Sequence, residues 1–134
     1  MCLYTTKPAK IAEKPIIVYK VLLLYRILSS GDKIYRTPCQ ATSVMMNDTL
    51  KASVDTEPDE VSINCKSIFV IRGEGVHAYT SIKNAKKHLY AYYTITKWEI
   101  PAGAKYWEGT DPYSKGEIAA TEMKFIKVCK GWEF

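Results

Sequence analysis

A chain of 134 residues that is 47% hydrophobic and 25% charged is long enough to bury one core, and is too rich in aromatic residues to remain disordered. Its 19 Lys and Arg against 14 Asp and Glu give a net charge of +5 spread over both halves, so bulk charge selects no partner class. The four cysteines, Cys2, Cys39, Cys65 and Cys129, show no metal-binding spacing; free thiols in a reducing, cytoplasmic compartment are the expectation.

Residues 1–15, with two prolines and scattered lysines, read as an extended N-terminal arm leading into a single domain over residues 16–134. The most apolar stretch, residues 16–28, holds Lys20 and Arg26 and is shorter than the roughly 20 residues a spanning helix needs. It reads as a strand of a soluble protein with no membrane association: its odd positions, Ile17 to Ile27, are all apolar or aromatic while Lys20 and Arg26 share the even face, which is a strand period. Ser29-Ser30-Gly31-Asp32 is turn chemistry that returns the chain as a hairpin partner over residues 33–37.

Residues 38–60 fit either short strands around a turn at Asn47-Asp48 or one short helix, and contain the acidic loop from Asp55 to Glu60. Strand character resumes over Val61 to Arg72. Ser81 or Thr80 caps the predicted main helix, about residues 81–93, with Ile82, Ala85, Leu89 and Tyr92 on its apolar side. Thr94 to Ile100 alternates as a strand with Thr96, Trp98 and Ile100 on one face, and Glu122 to Lys130 reads as the last strand. The expected fold class is α+β: a mixed, mainly antiparallel sheet with that one helix packed on it.

Two segments, Arg72 to Tyr79 and Lys105 to Tyr113, mix glycine, aromatics and carboxylates and read as loops at strand ends, where a flexible backbone can approach a ligand. They nominate Tyr79, Tyr106, Trp107 and Glu108 for ligand binding. His77 is a candidate base if Glu74, Glu108 or Glu117 sets its tautomer, and Glu117 is the candidate acidic partner. Against catalysis stands the absence of a phosphate loop, a dinucleotide fingerprint, a nucleophile elbow or a zinc-protease motif; no cofactor and no metal are expected. Lys83, Lys86, Lys87 and Lys97, with Tyr90, Tyr92 and Tyr93 interleaved, are the candidate nucleic-acid surface, since lysines contact phosphates and aromatic rings stack on bases.

Met1-Cys2-Leu3-Tyr4, Tyr19-Lys20-Val21-Leu22, Gly75-Val76-His77 before a short helix, Ile100-Pro101-Ala102-Gly103 and Tyr106-Trp107-Glu108-Gly109 follow one another in an order that resembles a loose group of small uncharacterised proteins from gut-type (Bacteroides-type) bacteria and their phages. That group has no established activity to carry over. The order histidine, helix, strand, aromatic segment, late glutamate is also distantly similar to ADP-ribosyltransferase-type domains. By that analogy His77, Tyr106 and Glu117 are the residues to suspect, although the Ser-Thr-Ser element of that family is missing. The leading expectation is a non-enzymatic accessory or interaction protein acting through a protein partner or self-association. A small-ligand or nucleotide-binding protein or enzyme at the 73–79 and 105–117 segments comes second, and a nucleic-acid binder third.

Overall fold

The computed structural model describes residues 3–5, 9–37, 42–52, 59–63, 66–71, 76–89, 93–110 and 115–130. In chain order the elements are β1 (Leu3–Thr5), β2 (Lys10–Ile11), β3 (Ile16–Ile27), β4 (Lys33–Arg36), β5 (Ser43–Val44), β6 (Thr49–Lys51), β7 (Asp59–Ile63), β8 (Lys66–Ile71), β9 (Val76–Tyr79), α1 (Ile82–Lys86), β10 (Tyr93–Ile100), β11 (Lys105–Thr110), β12 (Lys115–Ala120) and β13 (Glu122–Lys130). Every described pairing is antiparallel, and the main strand order is β6-β13-β10-β3-β9-β12-β11-β1-β8-β7.

One long, bent two-stranded ladder organises the sheet. β12 and β13 are a single run of chain interrupted only at Thr121, and they pair with β11 and β10 respectively. Opposite Thr121 the chain makes an excursion through Pro101 to Ala104, where Gly103 adopts φ 90 and Thr121 N–H donates to the Lys105 carbonyl at 3.0 Å. β3 lies against β10 over eight residue pairs and touches β9 at Tyr19 opposite Tyr79, while β9 lies against β12. Because β12 continues into β13, the strands β3, β10, β13, β12 and β9 pass once around a common interior. Val18 and Leu22, Val76 and Ala78, Trp98 and Ile100, Ile118 and Ala120, Met123 and Phe125 fill it. The Trp98 and Phe125 rings stack at 5.0 Å, and Tyr35 of β4 meets Phe125 edge to face at 5.7 Å. Burial raises the Tyr35 phenol above its usual pKa by desolvation.

The α+β expectation is overturned. Among the described residues the helix is five residues long, not a main helix over about 81–93, and the architecture is a mostly antiparallel β sheet. The helical spacing of Ile82, Ala85 and Leu89 is real, but only Ala85 is fully buried, and Ile82 stays 37% exposed. So short a helix is unstable alone. It persists because the Ser81 hydroxyl accepts from Asn84 N–H at 3.2 Å and because Ala85 docks with Val21, Tyr79 and Ile95; by Tyr93 the chain already belongs to β10.

Within residues 1–15, Leu3–Thr5 forms β1, between β11 and β8, and Lys10–Ile11 forms β2, on β11. The principal core takes even positions of β3: Val18 and Leu22 point inward with Lys20 between them, while Val21 and Tyr19 face α1. The described part of residues 38–60 is strand (β5, β6 and the start of β7), with Asn47 at φ 75 in the turn and the Asp48 carboxylate accepting from Met45 N–H at 2.8 Å.

Candidate functional site

The candidate catalytic and aromatic residues sort by the pleat. Tyr79 stands opposite Glu117, His77 opposite Ala119, and Trp107 opposite Ala119. Residues directly opposite in an antiparallel ladder project to the same side. His77, Tyr79, Glu117 and Trp107 therefore share the outer face of β9, β12 and β11, with Glu117 diagonal to His77. Tyr106 and Glu108 fall on the other side: Tyr106 packs against the main core, and Glu108 pairs with Lys10 at 3.2 Å in a partly exposed ion pair. Glu108 is thus removed as a partner for His77, and Glu74 lies outside the described residues.

Both segments read as loops are strands where described: β9 begins at Val76, and Lys105–Thr110 is β11. They do not pair with each other; β12 runs between them. Residues 72–75 and 111–113 lie outside the described set.

This outer-face group is covered. His77 is 8% exposed, Tyr79 2%, and Glu117 and Trp107 1% each. The cover starts at Gly116, whose φ of 79 and missing Cβ let the Asn84 side chain lie against the strand; a methyl group there would collide with the Asn84 amide. Thr80 donates from its hydroxyl to the Gly116 carbonyl at 3.0 Å, and the His88 ring stacks on Tyr79 at 4.7 Å. A histidine and a carboxylate sunk this far present almost no surface to a substrate.

Lys20 was missed by sequence reasoning as an interior residue. From the core-facing side of β3 its ammonium donates to the His77 carbonyl, across the point where β3 and β9 share their one register pair, and it lies 5.8 Å from the Trp98 ring centroid. Thr96 donates from its hydroxyl to the Lys20 carbonyl at 2.8 Å and accepts from Trp98 Nε1 at 2.7 Å. In the sequence Lys20 looks like a solvated interruption of an apolar run; only closure of the sheet supplies its acceptor.

The candidate basic residues do come to one side. α1 docks on the outer face of β3 and β10 through Ala85, leaving Lys83, Lys86 and Lys87 exposed, and Lys97 projects from that same face of β10 two residues beyond Ile95. Tyr90 and Tyr92 lie outside the described residues, and Tyr93 is half-buried. The ladder adds two lysines that were not singled out. Lys124 stands opposite Glu99, whereas Lys127 stands directly opposite Lys97. Two other rows of the strand match opposite charges, Glu122 with Lys51 and Lys124 with Glu99, so the like pair is an exception within its own strand. Among the described residues no carboxylate is ion-paired with either Lys97 or Lys127. The sequence signal was the lysine spacing in the last strand, but the opposing partner is set by the register shift between Lys97 and Trp98 in β10–β13.

No group of three His, Cys, Asp or Glu among the described residues could hold a metal ion, and no helix among them is long and apolar enough to cross a membrane. Cys129 is free and exposed; the other cysteines lie outside the described residues. Compared with known proteins, the chain matches no family model, no curated protein and no solved structure.

Proposed function

We propose that the protein is a non-enzymatic binding protein that engages an anionic partner through the lysine-bearing outer face of α1, β10 and β13. The observation that carries this reading is the Lys97–Lys127 pair. Like charges directly opposite in a ladder destabilise the sheet, so the pair has no use in folding; a bound anion would turn it into a favourable clamp. Burial of His77 and Glu117 supports the same reading from the other side, because it leaves the best catalytic candidates inaccessible.

Calorimetric titration with heparin and with inorganic polyphosphate tests it. Binding should weaken steeply with salt, with a log–log slope of about −3 for roughly four engaged lysines. The double change Lys97→Gln and Lys127→Gln should weaken it by at least about tenfold without lowering the thermal midpoint. Absence of binding to either polyanion at low salt would sink the reading. So would an unchanged affinity in the double variant.

A further inference from the structure

We infer that the anionic partner is a single-stranded nucleic acid, laid across the outer face of β3, β10 and β13 with its phosphates on the lysines and its bases against Tyr19. The inference rests on the binding reading above and names its partner.

Charge alone does not distinguish a nucleic acid from an acidic protein or a lipid surface; the position of an aromatic ring does. Tyr19 stands directly opposite Lys97 in the β3–β10 ladder, so a row running across the face reads Tyr19, Lys97, Lys127. Adjacent strands lie about 4.8 Å apart, which places ring and ammonium within reach of neighbouring parts of one nucleotide. Tyr19 is half-buried and packs on the Val21–Ala85–Ile95 cluster. A ring already packed in this way loses little further side-chain freedom when a base stacks on the area it keeps in solvent.

Shape argues for one strand over two. A duplex groove is entered by a projecting helix or ribbon, and the major groove is about 12 Å wide. The helix on this face is five residues long, about 7.5 Å, and lies flat on the sheet through Ala85. A flexible single strand can follow such a face; a stiff duplex meets it at only a few phosphates.

The test uses the full chain and fluorescein-labelled 12-nucleotide oligothymidylate and oligouridylate, with an abasic 12-mer of the same phosphate count, a 12-base-pair duplex, heparin and vesicles rich in an anionic phospholipid. The wild-type protein should bind the base-bearing single strands at least about tenfold more tightly than the abasic strand and the duplex. Tyr19→Leu, which keeps apolar packing but removes the ring, should bring oligothymidylate down to the abasic level while leaving abasic binding unchanged. Equal affinity for base-bearing and abasic strands would overturn this inference and leave the polyanion reading standing. Preference for the duplex or for vesicles would also overturn it. Failure to bind any of the probes, heparin included, would remove both. The comparison of strands on the wild-type protein decides the matter even if Tyr19→Leu proves unstable.

Discussion

The two halves of the bent ladder use the same pleat in opposite ways. In the β10–β13 half the inward side holds Trp98 stacked on Phe125, and the outward side shows lysines, with Lys97 facing Lys127. In the β11–β12 half the outward side is itself buried: Trp107 and Glu117 are 1% exposed, beneath a cover that includes Ala9 and leads through Gly116 to α1. Alternation along a strand separates two faces but does not say which is wet. That depends on what lies over each face: α1 covers the outer side of β10 at Ile95, whereas Lys127, in the row where like charges meet, stays exposed.

The largest effect should come from the inner face. Trp98→Ala should lower unfolding free energy by about 3–5 kcal/mol in urea denaturation, and Trp107→Ala by less, because its indole packs on the small residues Ala9 and Ala119. A reversed order would mean that the outer layer, not the interior, dominates the fold. Glu117→Ala should cost about 1–3 kcal/mol by stranding the groups buried around it, while heparin affinity stays within about twofold. A parallel loss of binding would join the two halves into one site. Gly116→Ala should cost about 1–3 kcal/mol, since its left-handed backbone and the Asn84 contact both resist a Cβ. Combining it with Asn84→Ala should recover part of that loss; strict additivity would show that the cover does not bear on Gly116.

Tyr35 gives the inner face a pH signature. Its folded pKa is raised by desolvation, so the unfolded chain ionises first as pH climbs past about 10. The stability it contributes is fully present below that pH and is lost as pH rises toward the folded value. Alkaline denaturation of Tyr35→Phe should lack this step; an identical profile would place the alkaline loss elsewhere. The smallest change in stability, and the sharpest contrast, is expected at Lys127→Glu. Replacing a like pair by an opposite one should stabilise the sheet by about 0.2–1 kcal/mol while heparin binding falls sharply. A variant that loses stability would remove the argument that the pair is kept for binding.

Several elements were legible in the residues. The run from Ile16 to Ile27, the turn at Gly31, the strand from Thr94 to Ile100 and the closing strand from Glu122 are local patterns of alternation and turn chemistry. The helix over about 81–93 was not, because a 3.6-residue spacing records where apolar side chains would lie if the helix formed, not whether it forms; α1 ends at Lys86, and Tyr93 belongs to β10. Over Lys105–Thr110 the loop reading failed for a related reason: Tyr106 and Trp107 are strand formers, and β12 gives Tyr106 to Thr110 a partner.

The sequence by itself determined which short stretches extend and where the chain turns. Tertiary structure alone decided that His77 and Glu117 share a buried face, that Lys20 points inward to a carbonyl of β9, and that Lys97 faces Lys127. Those are facts of cross-strand register. Register depends on pairing between residues as far apart in the chain as Lys20 and Thr96, and no local pattern encodes it.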